Sequence, residues 1–289
     1  MPRDRFAPSP TGALHLGTAF SAMLAHDMAR AEGGGFVLRI EDVDRARCRP
    51  EHARAIEEDL RWLGIDWDEP PLYQSGRAPS HAAALARLAE AGLTYACVCT
   101  RREIAEASSA PQEGAPADGP DGTVYPGTCR GADVDRSRPH ALRLDMRRAI
   151  AALGGGVAVR RLGFAETGAG PGGETGRQPL DPDWLVRAAG DIVVLRKDGS
   201  FAYHLAVVVD DAFQRITRVT RGRDLFSSTP VHVVLQALLG LPTPAYHHHR
   251  LIRDDGGRRL AKRDDARAIA ALRAQGWTPA DVRRAVGLD

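Results

Sequence analysis

Asparagine is absent from this 289-residue sequence, and lysine occurs only at Lys197 and Lys262, so 37 of the 39 basic residues are arginine. In a chain that uses arginine wherever either cation will serve, a lysine that persists marks a place needing a compact ammonium. Long apolar runs are missing too. Leu205–Val209 and Val231–Leu241 are too short or too interrupted to span a bilayer, and Met1-Pro2-Arg3-Asp4 lacks the apolar stretch of a secretory signal. These absences exclude a membrane-spanning protein and make the cytoplasm the expected setting. Cysteine is scarce: Cys48, Cys97, Cys99 and Cys129 do not read as a disulfide framework and point to metal instead.

What is present is average in bulk. An apolar share of 43% and a charged share of 26% describe a globular chain, long enough for one large α/β domain or two modest ones. The net charge of +2 by itself implies no polyanionic partner.

The start reads strand, turn, helix, strand. Arg5-Phe6-Ala7 is a short extended segment, two prolines keep Pro8–Gly12 out of a helix, and apolar residues from Ala19 to Ala31 recur with helical spacing until Gly33-Gly34-Gly35. Phe36–Ile40 then runs as a strand into Glu41-Asp42, completing a βαβ unit of a parallel sheet. Ligands of such sheets sit at the carboxyl ends of the strands, where the proline turn and Glu41-Asp42 both fall. Helices are predicted at about Pro50–Leu63 and Ala78–Ala91. Ala105–Gly122 and Glu166–Gln178 have the composition of loops, while Ala141–Met146 and Val157–Phe164 alternate like strands. The sheet is expected to resume at Ile192–Leu195, Ala202–Val209 and Ile216–Val219, before a helix at Pro230–Leu239 and a helical tail from Ala266.

Three segments carry chemistry. His15-Leu16-Gly17-Thr18 opens the first helix, where free N–H groups and the positive helix end make an anion site, glycine admits a nucleotide and histidine adds a donor. Arg259-Leu260-Ala261-Lys262-Arg263 follows Gly256-Gly257 and holds one of the two lysines, suited to neutralising a triphosphate during displacement. Cys97-Val98-Cys99 with Tyr125 and Cys129 offers three thiolates and a phenol; a tetrahedral zinc site wants four ligands, and since tyrosine is an uncommon one, spacing alone points to His81 or His140 before Tyr125. The run His247-His248-His249 is read as packing on the nucleotide side, not as a metal site.

Arg5-Phe6-Ala7-Pro8-Ser9-Pro10-Thr11-Gly12-Ala13-Leu14-His15-Leu16-Gly17-Thr18 resembles the HIGH signature of class I aminoacyl-tRNA synthetases in its glutamate-type form. Arg259–Arg263 looks like their KMSKS loop with Arg for the first Lys, and Phe201–Asp211 and Thr220–Leu225 match further blocks in family order. The resemblance implies an α/β fold: a Rossmann-type parallel-sheet catalytic domain (1–94 and 183–240), an inserted acceptor-binding-like subdomain with a zinc site (95–182), and a short helical C-terminal domain with the lysine loop (241–289). It makes His15 and Lys262 catalytic, with His15, Gly17, Thr18 and Lys262 on ATP-Mg2+. Glutamate brings two carboxylates and an ammonium, so its pocket wants two arginines and a carboxylate. By the resemblance Arg5 and Arg221 take the carboxylates, Glu41 and Ser9 the ammonium end, and Tyr203 packs across. Enzymes for glutamine usually carry Glu where Ser9 stands.

The Cys-x-Cys and Tyr-x-x-x-Cys pattern is similar to the zinc insert of the short glutamyl-Q tRNA(Asp) synthetases, which makes Tyr125 the fourth ligand of one structural Zn2+ and leaves Cys48 outside. The function so implied is ATP-dependent activation of L-glutamate and its transfer to queuosine in the anticodon of tRNA(Asp), by a monomer. The expected absence of an anticodon-binding domain after the lysine loop agrees with this. Two alternatives stay open: a minimal glutamyl-tRNA synthetase charging the 3′ end of tRNA(Glu), and a non-catalytic paralogue that binds glutamate or tRNA.

Overall fold

The computed structural model describes residues 1–44, 46–108, 118–120, 122–253 and 268–288. The predicted opening unit is present: strand Arg3–Phe6, helix Leu16–Ala31 and strand Gly35–Ile40, with the two strands parallel from Arg3↔Gly35 to Phe6↔Leu38. Leu72–Tyr73 extends this sheet on the far side of Gly35–Ile40. The helix buries Ala19, Phe20, Ala22, Met23, Ala25 and Ala29 against it, and Gly33 reverses the chain at φ 63°, a conformation that costs other residues a steric clash.

On the other side of Arg3–Phe6 the chain returns as strand Arg218–Gly222, parallel to Ala245–His249. Strand Gly163–Glu166 meets Ala245–His249 at Tyr246↔Glu166 and pairs antiparallel with Gly176–Pro179. Arg3–Phe6 and Arg218–Gly222 touch at their starts, where Thr217 N–H donates to Arg3 C=O at 2.9 Å. Beyond that point no ladder joins them. The buried carboxylate of Asp4 takes its place, accepting from Thr220 Oγ1 at 2.6 Å and Arg218 Nε at 3.0 Å. The strand order reverses between these two strands, and they open into a crevice at their carboxyl ends, the usual ligand position of a doubly wound sheet.

Several expectations are corrected. Ala202–Val209 is not a strand but the first part of helix Tyr203–Phe213, which buries His204 through Val208 together with Asp210 and Asp211. A helix wrapped on nearly all sides loses the 3.6-residue periodicity that would reveal it. Most of the Val157–Phe164 stretch is helix Gly155–Val159 and a turn, with strand only from Gly163. Val193–Leu195 does not rejoin the parallel sheet; it pairs antiparallel with Ala141–Leu144, which also pairs with Thr94–Cys97. Within the expected loops lie the end of helix Arg101–Ser108, the paired Asp118–Gly119 and Gly122–Thr123, and Gly176–Pro179. The predicted helices are found at Pro50–Trp62, Ala78–Glu90 and Thr229–Leu239, and the tail at Ile269–Ala274 and Pro279–Val286.

Asp59 sits on the buried face of Pro50–Trp62, 2% exposed, and its Oδ2 has no partner among the described residues. Burial pushes its carboxyl up from 3.8 to about 6, against a weaker pull from Arg273. The folded state therefore holds this proton more tightly than the unfolded chain, and stability is lost as pH rises from about 4 through about 6. Asp59→Asn is expected to raise stability at pH 8 by about 1–3 kcal/mol, and the gain should shrink towards pH 4. Thermal melts across that range check it; a gain independent of pH would remove the buried charge as the cause.

Candidate active site

A cavity of about 590 Å³ occupies the crevice, and its walls include Arg5, Ser9, His15, Gly17, Thr18, Glu41, Tyr203 and Arg221. The structure thus brings together every residue expected to meet glutamate and all those expected to meet ATP except Lys262, which lies outside the described residues. Leu251 and Ile252 line the same cavity, and Ala268 pairs with His15 through the backbone, so the described residues on either side of 254–267 both adjoin it.

At the floor, one carboxylate organises two arginines. Asp211 Oδ1 accepts from Arg5 Nε at 3.1 Å and from the fully buried Arg39 Nη1 at 2.7 Å, while Arg39 Nη2 reaches Glu41 Oε1 at 3.3 Å. Burial alone would raise the Asp211 pKa, but Arg39 and Arg5 hold it below the ordinary carboxylate value. Glu41 is balanced the other way: burial raises it in spite of Arg39 and Arg5, and an arriving ammonium would favour its charged form. Arg5 Nη1 also donates to Thr220 C=O at 3.4 Å, which leaves Nη2 without a partner among the described residues. The proline turn is docked beside this group by Glu41 N–H donating to Pro8 C=O at 2.9 Å.

Arg221 is held from every side. Its Nε donates to His248 Nε2 at 3.1 Å, Nη2 to Thr229 Oγ1 at 2.7 Å and Leu225 C=O at 3.1 Å, and Nη1 to Tyr203 Oη at 3.2 Å and His232 Nδ1 at 3.4 Å. All five donors are engaged, and the Nη1 contacts are the long ones that a ligand carboxylate could displace. Burial, with Arg221 and His204 adding to it, keeps His232 well below the ordinary histidine pKa and so neutral beside the guanidinium.

At the helix start two of the amides expected to be free, those of Gly17 and Thr18, are engaged within the turn. His15 Nδ1 accepts from Gly17 N–H at 3.2 Å, its C=O accepts from Thr18 N–H at 2.9 Å, and Thr18 Oγ1 accepts from His15 N–H at 2.9 Å. This reciprocal cap engages the N–H groups of Gly17 and Thr18. It also fixes the His15 tautomer, because Nδ1 as acceptor leaves the ring hydrogen on Nε2. A Cβ on Gly17 would stand 3.2 Å from the ring, so glycine is what lets the imidazole lie across the helix end.

Away from the crevice, the ligand atoms of Cys97, Cys99 and Cys129 lie within 4.8 Å of one another. Cys99 Sγ is 3.4 Å from Cys129 Sγ and 3.5 Å from Tyr125 Oη, which also accepts from Cys129 N–H at 2.8 Å. Thiolates about 2.3 Å from one zinc stand roughly 3.8 Å apart, so this set fits a tetrahedral metal. Cys129 is held down to about 7 by hydrogen bonds from Tyr125, Val98 and the other thiols in spite of burial, while burial pushes the Tyr125 phenol up. The Arg143 guanidinium lies 3.7 Å over the Tyr125 ring. Among the described residues no histidine joins this group, so His81, which bonds Asp210 Oδ2 at 3.0 Å, and His140, whose Nδ1 meets Arg138 C=O at 2.9 Å, lie elsewhere.

The model of "tRNA synthetases class I (E and Q), catalytic domain" matches residues 3–143 and 184–288. The chain belongs to that family. A glutamyl-Q tRNA(Asp) synthetase of Rhodobacter capsulatus is 56% identical over 98% of this chain and 99% of its own, and one of Symbiobacterium thermophilum is 44% identical over 96% of this chain and 83% of its own. The crystal structure of a glutamate tRNA ligase from Elizabethkingia meningosepticum, in complex with its amino acid, superimposes with a TM-score of 0.70 at 26% identity, over 91% of this chain and 52% of that one. This chain thus spans about half the length of that ligase. In this class I synthetase the sequence does not single out Arg39, Asp211, Glu166 and Asp4, which hold cavity-lining side chains or the strands that carry them. One signal was available for three of them: Arg39, Asp211 and Glu166 are charges inside or at the end of an otherwise apolar run, whereas Asp4 stands between Arg3 and Arg5 and carries no such mark. No helix among the described residues is long and apolar enough to cross a membrane.

Proposed function

We propose that this chain activates L-glutamate with ATP and transfers it to queuosine in the anticodon of tRNA(Asp). The observation that carries the reading is the 56% identity to the Rhodobacter capsulatus enzyme over nearly the whole of both chains. In the first step an α-carboxylate oxygen of glutamate bonds to the α-phosphorus of ATP and the bond to the bridging oxygen breaks, giving glutamyl-adenylate and pyrophosphate. Arg5 and Arg221 hold the carboxylates, Glu41 and Ser9 the ammonium end, and Tyr203 covers the amino acid. His15 Nε2–H and Lys262, with the magnesium that accompanies ATP, stabilise charge on the phosphoryl oxygens. In the second step a ring hydroxyl of queuosine attacks the activated carbonyl, AMP leaves, and the hydroxyl proton goes to solvent or to the departing phosphate. Positioning and electrostatics suffice, with no protein nucleophile.

Cys97, Cys99, Cys129 and Tyr125 would hold one zinc ion, which supplies a cross-link within the insert and takes no part in the chemistry. The division into 1–94 with 183–240, 95–182 and 241–289, a monomeric state and a cytoplasmic setting belong to the same proposal. Two assays test it. Glutamate-dependent pyrophosphate exchange should proceed without tRNA, and its absence would sink the catalytic reading. Charging should require queuosine in tRNA(Asp); glutamylation indifferent to queuosine would move the acceptor to a 3′ end.

A further inference from the structure

Glu166, 3% exposed, ends strand Gly163–Glu166 opposite Tyr246 and faces the histidine run. Its Oε1 accepts from the backbone N–H groups of His248 at 2.9 Å and Gly168 at 2.8 Å, and its Oε2 meets His248 Nδ1 at 2.5 Å. The other ring nitrogen, Nε2, faces Arg221 Nε at 3.1 Å. Arginine has donors only, so Nε2 must carry the lone pair; Nδ1 then carries the hydrogen, and Glu166 must receive it as a carboxylate. The direction of the whole chain is therefore fixed, from Arg221 through His248 to Glu166. The ring has little room to turn, since it stacks on Tyr246 at 3° and 5.9 Å and meets the edge of Phe226 at 5.1 Å. Burial keeps His248 below the ordinary histidine pKa, which agrees with a neutral ring.

We propose that Glu166 and His248 are positioning residues for amino-acid recognition: the carboxylate sets the His248 tautomer, and His248 anchors Arg221 by Nε, leaving the loosely held Nη1 edge to meet a substrate carboxylate. This rests on the reading of the cavity as a glutamate pocket. Neither residue touches the cavity, as neither is among its lining side chains.

Glu166→Gln separates this role from simple packing. The amide oxygen can keep both backbone hydrogen bonds, but its NH2 then faces Nδ1 and forces the hydrogen to Nε2, where it opposes Arg221 Nε–H. In glutamate-dependent pyrophosphate exchange, KM for glutamate is expected to rise about ten- to hundredfold, the loss of a charge-assisted hydrogen bond, while KM for ATP, kcat and Tm change little. His248→Gln, which can still present an acceptor to Arg221, should stay near wild type, and Glu166→Gln added to it should have almost no further effect. His248→Leu should raise KM for glutamate as Glu166→Gln does. An unchanged KM for glutamate in Glu166→Gln, an effect of full size in the His248→Gln background, or a parallel rise for ATP would overturn the positioning role. A wild-type chain without glutamate-dependent exchange would overturn the pocket reading instead, so the two failures are distinguishable.

Discussion

Arg5→Lys should reduce kcat/KM for glutamate in pyrophosphate exchange by about 10³-fold, or roughly 4 kcal/mol, while the chain remains folded. Arg5 does two jobs with one flat group: Nε is spent on Asp211 at 3.1 Å and Nη1 on Thr220 C=O at 3.4 Å, so only the far edge is turned to a ligand. A lysine ammonium is a single point at the end of a flexible stem. It can stay with Asp211, preserving the buried pair and with it the fold, or reach the substrate, but not both. Removing the cation altogether, as in Arg5→Ala, would leave Asp211 with Arg39 alone and cost stability as well, because breaking a buried pair typically costs about 3–5 kcal/mol. The lysine variant is therefore the cleaner probe. Measuring KM for glutamate, KM for ATP and Tm together decides the matter: a loss confined to glutamate supports Arg5 as a carboxylate ligand, and activity within tenfold of wild type would remove it from the pocket.

Arg5 and Arg221 are arranged differently, and the contrast bears on how the pocket discriminates. Arg5 is tied to an anion, Asp211, which fixes its place but offsets part of its charge. Among the described residues Arg221 has only neutral hydrogen-bond partners, Tyr203, His232, His248, Thr229 and the Leu225 carbonyl. None of these partners carries a compensating charge, and the carboxylate reached along this hydrogen-bond chain is Glu166, one imidazole away. A cation buried with neutral dipoles favours an anionic ligand over an isosteric neutral one, since only the anion returns the electrostatic energy lost on burial. Rejection of glutamine by such a site needs no repulsive group near Ser9.

Much of this is legible in the sequence because the signals are local. Two prolines in Pro8–Gly12 and the glycines after Ala31 punctuate the chain whatever surrounds them, and the Gly35–Ile40 strand that delivers Glu41 is a plain apolar run. The helix Tyr203–Phe213 was illegible for the opposite reason: its Leu205–Val209 run is rich in β-branched residues and buried, and propensity and periodicity both mislead when the environment is apolar on every side. The partners of the cavity arginines could not be read either. Asp211 lies 206 residues from Arg5, and Glu166 lies 82 from His248. Sequence can show that a charge sits within an apolar run, as Arg39 does, and so that it needs a partner; which partner is a property of the folded sheet. The His15 cap was misjudged on finer grounds, because helix-start amides count as open to a ligand only when no side chain has claimed them.

The second large effect is expected at the cysteines. Cys129→Ser should abolish stoichiometric zinc binding and unfold the surrounding insert, seen as loss of the metal by elemental analysis and rapid protease cleavage between Cys97 and Arg130. The local core explains why the metal would be indispensable. Among the described residues the apolar side chains packed on buried Cys97, Tyr125 and Cys129 are Tyr95, Val98, Cys99, Ile104 and Val134, a cluster too small to order its loops by apolar burial alone. Metal binding to such a site is folding free energy, on the order of 10 kcal/mol for structural zinc in small domains. A hydroxyl in place of one thiolate forfeits much of it, because serine does not ionise near neutral pH. Tyr125→Phe is the milder test. It keeps the ring beneath Arg143 and removes only the oxygen that stands 3.5 Å from Cys99 Sγ. If the phenol completes the tetrahedron, zinc affinity should fall at least about tenfold while the fold persists in excess metal; unchanged affinity would exclude tyrosine from the ligand set. The parallel sheet and its crevice draw on two other cores, one around Phe6, Phe20, Phe36, Leu38 and Ile40 and one that joins Val219 and Tyr246 to Leu144, Met146 and Phe164, and neither includes the cysteine cluster. Glutamate-dependent exchange should therefore survive in Cys129→Ser to a greater extent than tRNA charging, which separates the activating step from whatever the insert contributes to the acceptor.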